Sequence, residues 1–407
     1  SLIVDARDFN ITPDESVSFN AEIISDSKEE DLSLTFTYND RDYFVDENNQ
    51  VVINDNLVLD VDWTKETDGT RNNFKVVINV NRDYRHKVDA TYDFVISINA
   101  LSQNNNTNLL KTINFVVQKQ RINKVNVTAY TISSRTINNS RWYYTPSTTI
   151  SSTLVPGSDS ILTLEVSPNF AHFSQIEVTY TASSSGMVGT VGISRLSYNS
   201  TYGYYIDSST TDNITSGLRV TPTDSDLQNG VYYFRIYVSS SFTSNSNVTL
   251  RFTFYDETEN VGSYTYNYVI DYLSSAEVLV DGAHSVMLAK GDSAQVSITL
   301  DLDQTLTNNS IRLENNGTSI YLSSITEEVT DSFRRYTATI STSVTSNLAD
   351  GNSTGAFYVY ASVSRYVNGI LDYVESYATV YLVDFTINAD ETKVVGTTDT
   401  ATYNGNT

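Results

Sequence analysis

The sequence predicts an all-β protein built from tandem antiparallel β-sandwich domains. Apolar residues alternate with polar ones at a period of two, and they are mostly the Val, Ile, Tyr and Phe that suit a pleated sheet. No amphipathic helical pattern of any length is found. Short strands separated by turn-rich gaps are typical of sandwiches and barrels.

The alternation is clearest in residues 74–80, 247–254 and 294–302. In residues 74–80 the even positions are Phe, Val, Ile and Val, whereas Lys75 and Asn79 occupy the other face. A strand with one apolar and one polar face is half-buried, and clean alternation favours antiparallel sheets over parallel ones.

A similar arrangement recurs three times along the chain. Each unit closes with a long strand, a polar loop and a second long strand, at residues 92–117, 232–254 and 357–382, and a further strand at 264–270 ends the second unit. In the last closing pair the loop is Asn-Gly, the strongest short hairpin signal. The predicted domains are residues 1–118, residues 119–272 (an enlarged unit) and residues 273–385.

The connections between these units predict a semi-rigid rod. No Pro-rich or Gly-rich linker separates them, and the last strand of one unit runs almost directly into the first strand of the next. Residues 386–407 are short and polar, with Val394-Val395 as their one apolar pair. We expect them to be a tail or the start of a further domain, either paired with a neighbouring molecule by strand addition or packed on the third unit.

Composition excludes several classes of protein. The 407 residues include no Cys, which removes disulfides, thiolate zinc sites and a Cys nucleophile. The formal net charge of −23 argues against nucleic acid and against anionic membranes as partners. No apolar run reaches the ~20 residues of a membrane span, so direct membrane insertion is not expected. With no initiator Met and no signal peptide, the chain is expected to be a mature or excised piece.

One segment resembles a known family. Residues 229–236 (Asn-Gly-Val-Tyr-Tyr-Phe-Arg-Ile), followed by 254–260 (Phe-Tyr-Asp-Glu-Thr-Glu-Asn), are similar to the bacterial and archaeal immunoglobulin-like repeats of cell-surface proteins. Glu259 stands where the family usually has Gly, and Asp226 precedes Tyr232 as in a tyrosine-corner neighbourhood. The resemblance implies an immunoglobulin-like sandwich on a microbial cell surface, in a stalk, adhesin or surface layer, without catalysis.

Histidine offers little material for catalysis. His86, His172 and His284 fall in three different units, and tandem domains do not gather such residues into a triad or zinc site. We expect them to be exposed loop residues.

Carboxylates offer a candidate calcium site. Pairs at i and i+2 of a strand share a face, and calcium prefers several oxygen ligands from loops and interdomain seams. The alternative is an acidic face that keeps the protein soluble. A pair of carboxylates could also serve glycoside hydrolysis, but no cleft or raised pKa points to it. The candidate metal ligands are Asp60, Asp62, Asp256, Glu257, Asp301 and Asp303.

Aromatic residues form two clusters in the middle unit, at residues 142–144 and 198–205. Exposed aromatic rings stack on sugars and give rigid contact area, so they predict a glycan-binding or protein-binding patch. The alternative is that alternate tyrosines are core residues and the others cross-strand pairs. The candidate ligand-binding residues are Trp142, Tyr143, Tyr144, Tyr202 and Tyr204.

Asn-x-Ser/Thr sequons permit glycosylation, although they are no more frequent than the Asn, Ser and Thr content gives by chance. The candidate glycosylation sites are Asn126, Asn199, Asn247 and Asn316.

Together these features predict a non-catalytic structural segment of an extracellular microbial surface protein, such as a surface layer, filament or stalk. Calcium is its one candidate cofactor, and its expected partners are further copies of itself or neighbouring domains of a longer chain. The alternative function is an adhesin that binds glycan or protein through the aromatic patch of the middle domain.

Overall fold

A computed structural model describes residues 2–24, 31–101, 107–182, 189–207, 217–351, 354–386 and 402–403. Within these ranges the strands form three consecutive β-sandwiches, called here the first, second and third sandwich. The all-β class predicted from the alternation is confirmed.

The first sandwich packs two sheets, with strand orders β1-β3-β8-β7-β6 and β2-β10-β9-β4-β5. A 3₁₀ helix, Arg82–Lys87, connects β8 to β9. The strands are β1 (Leu2–Val4), β2 (Phe9–Ile11), β3 (Ser16–Ile24), β4 (Asp31–Tyr38), β5 (Arg41–Phe44), β6 (Gln50–Asn54), β7 (Leu57–Asp68), β8 (Arg71–Val80), β9 (Tyr92–Leu101) and β10 (Thr107–Val117).

The strand order of the first sandwich is that of the immunoglobulin fold. In the usual lettering, β1, β3, β8 and β7 are strands A, B, E and D, and β2, β10, β9, β4 and β5 are strands A′, G, F, C and C′. The first strand is split, so that β1 pairs with β3 in one sheet and β2 pairs with β10 in the other. The β2–β10 pair is parallel, an exception to the antiparallel pairing that the sequence predicts.

The second sandwich has a sheet of order β13-β21-β20-β15-β18 facing a closed barrel of order β11-β12-β17-β16-β19-β14. A short helix, α1 (Asp224–Asn229), precedes β19. The strands are β11 (Lys124–Asn138), β12 (Arg141–Ile150), β13 (Thr153–Leu154), β14 (Asp159–Ser167), β15 (Gln175–Ala182), β16 (Val191–Asn199), β17 (Gly203–Ile206), β18 (Leu218–Val220), β19 (Val231–Val238), β20 (Ser246–Asp256) and β21 (Glu259–Ile270).

The enlargement of the middle unit is this barrel. The β11–β12 and β16–β17 hairpins extend the sheet that contains β14 and β19, and pairing of β12 with β17 closes it. The closing hairpin of the unit is β20–β21, and β19 lies in the opposite sheet between β14 and β16. The two long strands expected at residues 232–254 are β19 and β20, and they lie in opposite sheets, because alternation identifies a strand but not its sheet.

The third sandwich repeats the immunoglobulin order, with sheets β22-β24-β28-β27 and β23-β30-β29-β25-β26. A helix, α2 (Thr342–Asp350), connects β28 to β29, and the sequence analysis missed it. The strands are β22 (Glu277–Val280), β23 (Ser285–Ala289), β24 (Ala294–Leu300), β25 (Thr305–Asn315), β26 (Thr318–Tyr321), β27 (Thr326–Val329), β28 (Arg334–Ile340), β29 (Gly355–Val367) and β30 (Ile370–Val383).

The predicted Asn-Gly hairpin is confirmed in this sandwich. Val367 pairs with Ile370, and the intervening Asn368 and Gly369 have φ values of 52° and 77°. Both central residues of a type I′ turn need positive φ, which Asn and Gly adopt at low cost.

Each sandwich buries its own apolar core between its two sheets. In β8 the residues at even positions are buried and those at positions 71, 73 and 75 are exposed, as the period-two pattern requires. In the first core, the Phe36 and Phe94 rings lie edge to face with centroids 6.3 Å apart.

Most of the expected tail, residues 386–407, lies outside the described residues. Its described part is a short antiparallel pair of β31 (Phe385–Thr386) and β32 (Thr402–Tyr403). In the described part of the chain, no helix has the length and apolar character that crossing a membrane requires.

Replacing Phe36 by Ala should destabilise the first sandwich by about 3–5 kcal/mol, because a fully buried ring leaves a cavity. The matched control is Phe44→Ala, since Phe44 is 64% exposed on the neighbouring strand. Urea unfolding followed by Trp63 fluorescence in a Trp142→Phe background reports this sandwich, because Trp63 packs on its core. Equal effects of the two substitutions would contradict the assigned core.

Candidate functional site

The barrel of the second sandwich brings the predicted aromatic residues together. Strands β12 and β17 pair in register, with Tyr143 opposite Tyr205 and Tyr144 opposite Tyr204. Consecutive residues of a strand point to opposite faces, so Tyr143 and Tyr144 belong to two separate clusters. The predicted patch is thus divided by the sheet.

The outer cluster surrounds Tyr143. Its ring centroid is 5.1 Å from that of Tyr202 and 5.7 Å from that of Tyr205, and the Arg141 guanidinium lies 4.7 Å from the Tyr205 ring. Tyr143 is only 9% exposed, whereas Tyr202 is 44% exposed. A ligand can therefore reach Tyr202 but not the face of Tyr143.

The inner cluster fills the barrel. Tyr144 packs with Ile161 and Leu196, and the rings of Tyr204 and Tyr233 lie 4.6 Å apart. Burial, together with the hydrogen bond to Tyr233, raises the pKa of the Tyr204 hydroxyl. Tyr144 and Tyr204 are thus packing residues, as the alternative interpretation of the aromatic pattern predicts.

The accessible rings of this region lie beside the two hairpin turns of the barrel. Trp142 is 51% exposed and is paired in register with Ile137, which is 60% exposed. Tyr198 is 62% exposed and packs against Tyr204. Of the five predicted ligand-binding residues, Trp142 and Tyr202 remain available to a ligand. The sequence analysis did not select Tyr198, although it lies in the same quoted cluster.

A buried charge cluster holds the other side of the barrel. Asp159 is 6% exposed and accepts hydrogen bonds from Arg135 and from Arg235 Nε, the latter at 2.7 Å. The Arg235 guanidinium also lies 5.2 Å from the rings of Tyr144 and Tyr237. Removing one member of such a buried pair leaves an uncompensated charge and is destabilising. Asp159 engages both Arg135 and Arg235, so the cluster is not a free anion site.

The junction between the first and second sandwiches is bridged by side chains from both. His172 Nδ1 lies 3.3 Å from the main-chain oxygen of His86, and His172 Nε2 lies 3.7 Å from Asp256 Oδ1. Lys119, in the connection between the two sandwiches, pairs with Asp256 in the β20–β21 hairpin. His86 and His172 lie in different sandwiches, as expected, but the expectation that tandem domains do not bring them together is wrong for this pair, because the junction joins the ends of two domains.

His86 is deeply buried at this junction. It is 3% exposed, and neither ring nitrogen has a hydrogen-bond partner among the described residues. Burial lowers the pKa of the His86 imidazole below its usual 6.5; Lys87 and His172 act in the same direction, and Asp224 and Asp83 oppose it. The expected exposed loop position is wrong for His86, since the 3₁₀ helix that carries it packs against α1 of the second sandwich.

The second junction uses the Asn-Gly turn of the third sandwich. Asn368 Nδ2 donates to Ser151 Oγ at 2.8 Å and to the Thr153 main-chain oxygen at 3.0 Å. Arg365 is 7% exposed and pairs with Asp271 in the connection and with Asp372, at 3.2 and 3.3 Å. At both junctions, the preceding part of the chain therefore contacts the β-hairpin that closes the following sandwich.

The predicted calcium ligands lie in three separate places. Asp60 and Asp62 are both on β7, and the Asp60 carboxylate accepts from Asn81 Nδ2 at 2.9 Å. The shared strand face expected for Asp301 and Asp303 is wrong, because β24 ends at Leu300 and both residues lie in the following turn.

Asp256 and Glu257 are at the first junction, where Asp256 pairs with Lys119. In the parts of the chain that the structure describes, no group of three His, Asp or Glu residues is arranged to hold a metal ion. Calcium binding stays a prediction.

The sequon asparagines differ in accessibility. Asn126, Asn247 and Asn316 are exposed, on β11, on β20 and in the turn between β25 and β26. Asn199 is partly buried, and its side-chain oxygen accepts from the main-chain N–H groups of Thr201 and Tyr202. The three exposed residues are the accessible acceptors.

The structure also shows an aromatic surface that the sequence analysis missed. Tyr358, Tyr360 and Tyr377 pack together on the outer face of the third sandwich, with ring centroids 5.4–5.9 Å apart. Tyr377 and Tyr381 are 58% and 47% exposed. A signal was available, because tyrosines at 358 and 360 alternate with the inward Phe357 and Val359.

No family model and no curated protein matches the chain. Among solved structures, Dpr2 Ig1-Ig2 in complex with DIP-Theta Ig1-Ig3 is 8% identical over 94% of this chain and 99% of that chain, with a TM-score of 0.27. An ICAM-5 D1-D4 ectodomain fragment is 11% identical, over 94% and 77% of the two chains, with a TM-score of 0.28.

The C-terminal domain of the Streptococcus agalactiae AgI/II polypeptide BspA is 9% identical over 65% of this chain and 95% of that chain, with a TM-score of 0.21. The assignment of this chain to tandem immunoglobulin-like β-sandwich proteins rests on its strand order, not on these similarities.

His86 should titrate below pH 6.5 in the folded protein. The pKa of His86 is lower in the folded protein than in the unfolded chain, so the unfolded chain is protonated first as the pH falls. His86 therefore lowers the free energy of unfolding as the pH falls below about 6.5. NMR titration of labelled histidine, with the signal assigned by its loss in His86→Gln, measures the midpoint. A midpoint at or above 6.5 would show that the ring is not buried as described.

Proposed function

We propose that this chain is a structural segment of an extracellular surface protein, in which tandem immunoglobulin-like sandwiches form a stiff spacer. The observation that carries the proposal is the construction of its two junctions. Each is bridged by side-chain hydrogen bonds and ion pairs from both neighbouring sandwiches. Domains joined by flexible linkers lack such ties.

The lengths of the connections support stiffness. Strand β10 ends at Val117 and β11 begins at Lys124; β21 ends at Ile270 and β22 begins at Glu277. Lys119 and Asp271 in these connections are themselves held by ion pairs to Asp256 and Arg365. A short connection fixed to both neighbours limits bending between sandwiches.

The surface chemistry supports an extracellular setting. Charged residues make up 18% of the chain, below the ~25% of an average domain, and the net charge of −23 opposes aggregation. Exposed sequons at Asn126, Asn247 and Asn316 fit a secreted protein. The partial similarity of residues 229–260 to bacterial and archaeal repeats favours a microbial cell surface. We propose that this segment is non-catalytic.

The partners proposed for a spacer are further domains of the same kind or other copies of the chain in a surface layer or filament. Each junction contacts the closing hairpin of the following sandwich, and this contact serves equally for additional sandwiches. The exposed tyrosines of the third sandwich offer apolar area for lateral contacts.

Loosening the junctions should make the chain flexible without unfolding it. Lys119→Met removes the charge at the first junction, and Asn368→Asp removes the donor at the second while keeping a residue that tolerates positive φ. Small-angle X-ray scattering should show a broader distribution of interatomic distances for the double variant.

The matched control for this scattering experiment is Lys75→Met with Asn316→Asp. Lys75 is exposed, and Asn316 is an exposed turn residue with positive φ far from Asn368 in its sandwich. The control should scatter like the unmodified chain. Identical curves for all three proteins would contradict the role of the junction contacts.

The second candidate function is adhesion through the exposed aromatic rings of the barrel. Its specific support is the exposure of Trp142 and Tyr198 beside buried aromatic residues that hold the hairpins in place. Rings of this kind on a rigid support stack on sugars and also form protein contacts. This function is compatible with a spacer role, since the junctions do not use these rings.

Replacing Trp142 by Ala should weaken saturable glycan binding through this patch by about tenfold or more in affinity. A glycan array measures this change. Tyr321→Ala is the control, because Tyr321 is 67% exposed in a different sandwich. Adhesion to glycans through the barrel is excluded if no glycan binds or if both variants bind equally.

A further inference from the structure

The Asn-Gly turn at the second junction is chemically labile as well as structural. Asn is a thermolabile residue, and Asn followed by Gly is especially prone to deamidation, because Gly has no side chain to hinder the reacting main-chain nitrogen. The chain contains four such pairs, at residues 229–230, 316–317, 368–369 and 404–405, and the last lies outside the described residues.

Deamidation proceeds through a succinimide ring. The Gly main-chain nitrogen loses its proton to a solvent base and bonds to Cγ of the Asn side chain. The Cγ–Nδ2 bond then breaks, and Nδ2 takes a proton from water and leaves as ammonia. Water opens the ring at either carbonyl, which gives aspartate or isoaspartate. The reaction therefore needs a free Gly N–H, room for the ring and an Asn side chain that can turn toward the following nitrogen.

Asn316-Gly317 meets these requirements, and Asn229-Gly230 does not. Asn316 is exposed in the turn between β25 and β26, and no atom outside the adjacent residues lies within 4 Å of the position that a side chain on Gly317 would take. The Gly230 N–H instead donates to the main-chain oxygen of Asp226 at 2.7 Å, as the cap of α1. The two pairs are a reactive and a protected reference within one chain.

Asn368-Gly369 combines a reactive main chain with a restrained side chain. Gly369 has a φ of 77° and open space around it, and no hydrogen bond engages its N–H among the described residues. The Asn368 amide nitrogen, however, donates across the junction to Ser151 Oγ and to the Thr153 main-chain oxygen. Turning Cγ toward the Gly369 nitrogen requires both bonds to break, so the reaction needs the turn to leave the second sandwich.

We propose that Asn368 is a deamidation site gated by the second junction, so that its conversion records the opening of this junction. The product cannot restore the contact. Aspartate has no donor, and its carboxylate would face the Thr153 main-chain oxygen that now accepts from the amide. Isoaspartate also adds a carbon to the main chain of a two-residue turn that needs positive φ at both positions.

Peptide mapping by mass spectrometry, during incubation of the whole chain at pH 8, measures conversion at the three described pairs. We expect Asn368 to convert about tenfold more slowly than Asn316, because two hydrogen bonds favour the closed junction. Conversion of Asn368 as fast as that of Asn316 would overturn the proposal. Conversion of Asn229 as fast as that of Asn316 would also overturn it, because local structure would then not control the rate.

Ser151→Ala combined with Asp271→Ala should open the gate without changing the turn. The first substitution removes an acceptor of the Asn368 amide, and the second removes the ion pair with Arg365. Conversion of Asn368 should become about fivefold faster or more, with the rate at Asn316 unchanged. No acceleration at Asn368 would overturn the proposal.

The matched control is Ser343→Ala combined with Asp350→Ala. Both residues are on α2, which precedes β29, whereas the Asn-Gly turn follows the other end of that strand. The control likewise removes a side-chain hydrogen bond, to Ser341, and an ion pair, to Lys290. It should leave the rate at Asn368 as in the unmodified chain. Equal acceleration in the two double variants would show general loosening of the third sandwich, and would overturn gating by the junction.

The modification goes beyond the spacer function, although its mechanical consequence rests on that function. The ratios of the conversion rates decide the proposal without any measurement of stiffness. The spacer function is tested by the scattering of the Lys119→Met/Asn368→Asp variant, which can fail while the rates behave as expected.

Discussion

The constraint on which the whole structure depends is that the central strands of each sandwich bury alternate side chains between two sheets. In β8, Phe74, Val76, Ile78 and Val80 meet this requirement, and the inward faces of each sandwich join into one core. Burial of that apolar area is the main favourable term in folding. Because one face of these central strands is fixed inward, their exposed side chains lie on the other face, at a strand end or in a turn.

Strand ends and turns are also where the sandwiches meet, which explains the chemistry of the junctions. Their main-chain groups need partners, and side chains such as His172 and Asn368 supply them across the domain boundary. Buried Arg365 similarly finds carboxylates from the connection and from its own hairpin. Polar contacts of this kind fix the angle between domains more strictly than apolar contacts, because hydrogen bonds are directional.

The sequence was sufficient for the strands and insufficient for what depends on distant contacts. Alternation located β8, β20 and β24, and Asn368-Gly369 located a turn, since these are local properties. Closure of the barrel depends on β12 meeting β17, about sixty residues away, and both strands have aromatic residues on both faces. The burial of His86 depends on the neighbouring sandwich, so no pattern around residue 86 could indicate it.

Dependence on contacts between distant residues also explains why the first junction combines stabilising and destabilising groups. Lys119 offsets Asp256, but Asp55 and Glu257 bring like charges from opposite sandwiches toward one cavity, and like charges oppose close approach. An unpaired buried imidazole adds a further cost. The Lys119–Asp256 ion pair and the contacts of His172 hold the junction closed against these costs. In the proposed spacer, stiffness at this boundary therefore depends on polar contacts that act against a local electrostatic cost.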